Sequence, residues 1–282
     1  MKLMQLIVLV LGLIAVALYA YKKKGPSEGG RKRQTKDAGV DLALVTAERT
    51  RELPEPVQKW LAWSGSVGKT EVRSMYLEQS GQIKLKPEQK HWTPAKAEQY
   101  STFEPPEFTW KVDMKMAPGT HISGKDVFRN GHGQMRIKFD GIMPLSKTEN
   151  NAKTNQSSLQ RYLMELACCP AAALSSYVDW QKVDETTATA MMELNGVSGT
   201  ADFHFDMQGE LKSVTALRYK DSDEGAEKML CTANILGYME ADGIKVPSKI
   251  EIVWDLPEGP FTWYKFEVSG VRYNEPAPTG WL

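Results

Sequence analysis

Between Glu71 and Val271 one period dominates. Apolar and polar residues alternate, most cleanly in FTWKVDMKM over Phe108–Met116. Successive side chains of a strand point to opposite faces of a sheet, so this pattern reads as strand. One long stretch breaks it. SSLQRYLMELACCPAAALSSY, Ser157–Tyr177, places Leu159, Leu163 and Leu166 at helical spacing. A chain of this kind must wrap strands around, or lay them against, a single central helix.

The alternating segments are Glu71–Leu77, Gln82–Lys86, Phe108–Met116, His121–Arg129 and Gln134–Phe139 before the helix. After it come Thr186–Leu194, Thr200–Phe205, Leu211–Tyr219, Leu230–Met239, Ile244–Trp254 and Phe261–Val271. Turn residues separate them: Ser80-Gly81, Asn130-Gly131, Asp206–Gly209, Asp242-Gly243 and Glu258-Gly259. Short loops imply antiparallel neighbours. Phe108, Trp110, Val112, Met114 and Met116 need a dry partner, and the apolar side of Leu159–Leu174 is available. The expected fold is mainly β (α+β). It is a large curved antiparallel sheet or half-barrel of roughly ten or eleven strands, covered by one or two helices. The sheet domain should occupy residues 65–282, with the central helix on its concave side. Residues 40–64 should form short helices, with Val57, Trp60 and Leu61 spaced i, i+3, i+4 after Pro54 and Pro56.

The first 21 residues are of another kind. Leu3–Tyr21 has one polar member, Gln5. A run of about twenty apolar residues crosses a bilayer. The alternative is a cleaved signal peptide, with Ala15-Val16-Ala17 as its site, but the run exceeds the usual h-region of about 7–15 residues. Residues 22–39 read as a polar, flexible tether. One Lys precedes the span and seven Lys or Arg follow it by Lys36. Positive residues resist export, so the domain should face the cytoplasm as a single-pass membrane protein. The alternative is an exported domain. Alkaline phosphatase fused after Lys36 should therefore be inactive. High phosphatase activity there would reverse the orientation.

Charge excludes one function class. Lysine plus arginine equals aspartate plus glutamate in the whole chain, at 35 each. Eight of the basic residues lie in the first 36, so the body is left acidic, a poor surface for nucleic acid. Cys168, Cys169 and Cys231 do not make a disulfide framework, which fits a reducing compartment. Nothing in the sequence has metal-ligand spacing, and no cofactor motif is present. The oligomeric state is not encoded in any pattern visible here.

Several segments, taken in order, resemble a known family. They include LPEPVQKWL (53–61), HWTPAKAEQY (91–100), PPEFTW (105–110), GKDVFRNGHGQM (124–135) and LQRYLMELACCPAAAL (159–174). They continue through VDWQKVDETTATA (178–190), FHFDMQGEL (203–211), LGYMEADGIKVPSKIEIVW (236–254) and EGPFTWYKFEVSGVRYN (258–274). The set resembles the uncharacterised bacterial family DUF6544, formerly DUF6920, over about residues 50–275. The chain departs from that family at Cys168-Cys169, where a bulkier pair containing an aromatic residue is expected. The family implies no activity. Its outline is similar at fold level to the LolA-like half-barrels that carry lipids and lipoproteins, which implies a hydrophobic ligand.

The chemistry-bearing candidates are few. Arg161 and Glu165 stand i, i+4 among apolar residues of the helix. They are either a helix-to-sheet ion pair or part of a ligand site. Asp126 and Asp184 could add a carboxylate, whereas Asp206 and Asp242 are turn residues first. Trp110 and Tyr162 are further candidates for a ligand-binding cavity. The four histidines, His91, His121, His132 and His204, show no ligand spacing. Two readings stand open. One is a membrane-anchored, non-enzymatic module that binds a lipid-like ligand or a partner protein. The other is an enzyme that uses carboxylate or histidine acid–base groups in the cavity.

Overall fold

A computed structural model describes residues 42–117, 119–149 and 151–281; the expected span (1–21) and tether (22–39) lie outside them. Among the described residues there are three α-helices and thirteen strands. Helices α1 (Ala47–Thr50) and α2 (Glu55–Trp63) precede β1 (Ser74–Ile83), β2 (Thr93–Phe103), β3 (Pro106–Ala117), β4 (Thr120–Arg129), β5 (His132–Phe139) and β6 (Met143–Glu149). Helix α3 (Ala152–Glu165) and two 3-10 turns, Leu166–Cys168 and Pro170–Leu174, follow. Then come β7 (Asp179–Lys182), β8 (Thr187–Leu194), β9 (Val197–Phe205), β10 (Leu211–Tyr219), β11 (Lys228–Ala241), β12 (Ile244–Leu256) and β13 (Gly259–Tyr273). Within this body no helix is long and apolar enough to cross a membrane.

The strands form one antiparallel sheet in the order β6-β5-β4-β3-β2-β1-β13-β12-β11-β10-β9-β8-β7. Two meanders, β1–β6 and β7–β13, therefore meet along the β1–β13 pair. The edge strands are β6 and β7, which are consecutive in sequence. The segment between them, containing α3, carries the chain from one edge to the other.

That path forces curvature. Helix α3 packs against β4 and β5 and also against β8, β9 and β10. In a flat sheet β5 and β9 would stand about 40 Å apart, at about 4.8 Å per strand. A helix with its side chains is only about 10–12 Å across. One helix touches both because the sheet rolls around it into a half-barrel. The tips of two hairpins also meet: Asn195 Nδ2 donates to the Asn130 carbonyl at 3.0 Å. Helix α3 comes very close to β5, where a Cβ on Gly133 would lie 2.4 Å from Ser158 Oγ and 2.7 Å from the Thr154 carbonyl.

The strand reading needs four corrections. Ser80-Gly81 is not a hairpin, because β1 runs straight through it. Gly81 is there for close approach: a Cβ would lie 2.2 Å from the Lys265 carbonyl on β13. The two expected strands around it are one. Three others were hidden. Strand β2 alternates between buried and exposed, but its buried residues include Ala95, Ala97, Gln99 and Ser101, which carry little hydrophobic signal. Strand β6 is an edge strand exposed along most of its length. Strand β7 has four residues. The helix also differs from Ser157–Tyr177. It starts at Ala152, where the Asn151 side chain accepts from the Lys153 and Thr154 N–H groups, an N-cap. It tightens to 3-10 geometry after Glu165, ahead of Pro170. Elsewhere the turn chemistry holds: Asn130 and Gly131 have φ of 50° and 78°, both positive as a type I′ turn requires.

Candidate functional site

Register builds the site. Leu77, Gln99, Trp110, Asp126, Met135 and Thr148 are direct cross-strand neighbours, one each from β1 to β6. Directly opposed residues share a face, and this row faces α3. Two polar side chains, Gln99 and Asp126, thus sit in an otherwise largely apolar row, beneath the helix face that carries Arg161 and Glu165.

These four groups form one network. The Arg161 Nε donates to Glu165 Oε1 at 2.7 Å and its Nη1 to Asp126 Oδ2 at 2.7 Å. Its Nη2 donates to Gln99 Oε1 at 3.3 Å. Gln99 in turn donates through Nε2 to Glu165 Oε2 at 2.6 Å and to Ser101 Oγ at 3.0 Å. The guanidinium lies over the rings of Phe108 and Trp110, 4.8 Å from each. Exposure is low for charged groups, at 17% for Arg161, 24% for Asp126 and 26% for Glu165. All three line a cavity, so what exposure they keep opens onto it. Burial pushes the Asp126 carboxyl above its ordinary range, and the Arg161 charge offsets only part of that. Burial by itself would lower the Arg161 guanidinium, but the adjacent Glu165 and Asp126 hold it above its usual value.

The cavity has a volume of about 540 Å³, within the range of about 300–1,000 Å³ typical of small-molecule sites. One stretch of the lining is apolar and comes from β11, β12 and β13 of the second meander. Three cross-strand rows supply it: Cys231–Trp254–Phe261, Ala233–Ile252–Tyr264 and Ile235–Ile250–Phe266. The charged network between α3 and the β2–β4 strands also lines the cavity. Exposed Lys220, Asp221 and Asp223 are among the lining residues, as are exposed Leu85, Met135 and Ser146, and the cavity reaches the surface at both groups. Burial pushes the Cys168 thiol up to about 12, so this cavity-lining cysteine is protonated and a poor nucleophile. None of the four histidines lines the cavity. Of the carboxylates that line it, Asp221 and Asp223 are exposed, and the two inner ones, Asp126 and Glu165, are both tied to Arg161.

Arg161, Glu165, Trp110 and Asp126 are brought together; two other candidates are not. Tyr162 points away from the cavity. Its hydroxyl donates to the Thr102 carbonyl at 3.1 Å and its ring packs against Phe103 and Phe128. Asp184 sits exposed in the β7–β8 turn and accepts from the Thr186 N–H at 2.8 Å. That backbone hydrogen bond is the main cause of its lowered pKa.

Sequence reasoning missed Gln99 and Arg218. Arg218 lies near the end of β10, lines the cavity, and donates from Nε to Ser157 Oγ at 3.1 Å. A signal was available for it: Val214, Ala216 and Arg218 share one phase of the strand, and the first two are buried.

Comparison with known proteins gives a family match and a likeness in fold. A model described as a family of unknown function, DUF6920, matches residues 51–273. A solved structure of a LolA superfamily protein from Nitrosomonas europaea aligns at 8% identity and a TM-score of 0.43. That alignment covers 78% of this chain and 94% of the other. No curated protein matches.

Proposed function

We propose, from the premise that this chain belongs to the DUF6920 family of unknown function, that its half-barrel binds a lipid-like amphiphile in the cavity between α3 and the sheet. One observation carries this reading: the cavity combines a continuous apolar surface on β11–β13 with a cluster of charged groups held between α3 and β4. A ligand with an apolar chain and a polar end matches that combination, because burying the chain gains about 0.8 kcal/mol per CH₂ group. The proposal includes anchoring of the body to a membrane by the apolar segment at 3–21, on the cytoplasmic side, supported by the flanking charges. A tether of that kind would hold the cavity near its source of ligand.

The test fills the cavity. Ala233 is buried on β11 opposite Ile252, and its side chain lines the apolar wall. Ala233→Phe should occupy the void. The probe is dibromostearate, whose bromines quench nearby tryptophan, with the full-length chain held in phosphatidylcholine nanodiscs. Trp110, Trp254 and Trp263 line the cavity, so binding is read as quenching. The expected result is at least about tenfold weaker binding, equal to a loss of about 1.4 kcal/mol, with an unchanged near-UV circular dichroism spectrum. Equal quenching of the variant and the parent protein would place the ligand elsewhere and sink the proposal.

A further inference from the structure

We infer that Arg218 is the headgroup site for an anionic amphiphile, binding the oxyanion of a carboxylate or phosphate monoester at the head of a single apolar chain. This rests on the amphiphile reading and sharpens it to a ligand class. The strand pattern around Arg218 runs against burial rules. Leu217 faces solvent, 59% exposed, while Arg218 points inward in phase with Val214 and Ala216. Turning a leucine out and half-burying an arginine with no hydrogen-bonded carboxylate is unfavourable, and a bound anion would compensate for it.

Its partners do not neutralise it. Among the described residues no carboxylate forms an ion pair with Arg218. The contacts it has are the Ser157 hydroxyl, the Cys231 sulfur and the face of Trp254 at 5.4 Å. Arg161 is the contrast, with two carboxylates and an amide already on its guanidinium. Its pairs hold it in place, whereas among the described residues no carboxylate is hydrogen-bonded to the Arg218 fork and Glu165 acts on it only from a distance. Burial lowers the Arg218 pKa and the like charge of Arg161 adds to that, while Cys231 and the Glu165 carboxylate offset only part of it. An anion bound at the guanidinium would offset both by direct charge attraction.

Position fits the same ligand. Arg218 is two residues from Lys220, where the cavity reaches the surface. Cys231 and Trp254, in the next row along the strands, Ala216–Cys231–Trp254, touch Arg218 and begin the apolar wall. A head bound at Arg218 would send its chain along Ala233, Ile252 and Tyr264. A guanidinium fork matches the paired oxygens of a carboxylate or phosphate, which an ammonium does not.

The experiment compares dibromostearate with its methyl ester, which has the same chain and no charge, on the full-length chain in phosphatidylcholine nanodiscs. The wild-type protein should bind the acid about ten- to a hundredfold tighter than the ester, as expected for one charge-assisted pair. Arg218→Met should erase that gap and leave ester binding unchanged. Arg218→Lys should keep part of it. Inorganic phosphate at millimolar concentration should not displace the acid, because it has no chain to bury. Equal binding of acid and ester by wild type would overturn the headgroup site while leaving the amphiphile reading intact. A gap that survives in Arg218→Met would do the same. Displacement by inorganic phosphate as effective as by the acid would make this a free-oxyanion site and overturn the amphiphile class. Quenching by neither probe would overturn the amphiphile reading and this inference together. If Arg218→Met does not fold, the wild-type comparison and Arg218→Lys decide.

Discussion

Gly81→Val should destabilise the body by about 3 kcal/mol or more. The new Cβ would meet backbone on the neighbouring strand: the Lys265 carbonyl at 2.2 Å and Phe266 Cα at 2.8 Å. Backbone cannot rotate out of the way as a side chain can, so β1 and β13 must part. This is the strand pair that joins the two meanders in the sheet, and its residues are far apart in sequence. Opening it exposes core on both sides. For a body of this size the expected fall in Tm is roughly 6–12 °C. Gly225→Val is the matched control, because a Cβ there has nothing within 4 Å. Thermal unfolding of both variants checks the prediction. A Gly81→Val protein that melts with the parent would mean that β1 and β13 are not paired in this register.

Arg161→Met should be the other large loss, about 3–5 kcal/mol at neutral pH, because it strands two carboxylates in a low-dielectric cavity. The methionine keeps most of the side-chain volume, so packing contributes little. Asp126 gives the effect a pH signature. Its folded pKa is already raised by burial, and removing Arg161 takes away a charge that was holding it down. A raised folded pKa means that protonation favours the folded state. The stability gained by protonation is fully present below the unfolded value of about 3.8 and is lost as pH rises through the folded value. The deficit of Arg161→Met should therefore shrink as pH falls toward 4. Glu165→Gln should cost less, about 1–2 kcal/mol, since a glutamine can still accept from Arg161 and Gln99. Urea titrations across pH separate these cases. If Glu165→Gln is fully stable but no longer binds the amphiphile, Glu165 contacts the ligand and is not primarily structural.

What could be read from the sequence followed from how strongly each segment signals its burial. FTWKVDMKM announces itself because large apolar side chains alternate with charges. Strand β2 is just as regular in the fold, but it packs Ala95, Ala97 and Gln99 inward, and small or polar residues carry almost no periodic contrast. Ser80-Gly81 failed for a different reason. Glycine serves both turns and close backbone contacts, and only the distant partner strand decides between them. The helix was visible from Leu159, Leu163 and Leu166, but its first turn, AKTNQS, is polar and is held by the Asn151 cap. At the site, Arg161 and Glu165 stood out because they are neighbours on one helix. Asp126 and Gln99 reach them through register across the sheet, which no local spacing encodes. Arg218 was legible only to a reader who kept the phase of Val214 and Ala216 and asked why an arginine followed them.

The most direct measurement is a crystal structure of the full-length chain grown with dibromostearate, read from the anomalous signal of its bromines. The predicted result is bromine density inside the cavity, beside Ala233, Ile252 and Tyr264, with the carboxylate oxygens within hydrogen-bond distance of the Arg218 guanidinium. Bromine peaks confined to the outer face of the sheet, with none between α3 and β11–β13, would contradict it.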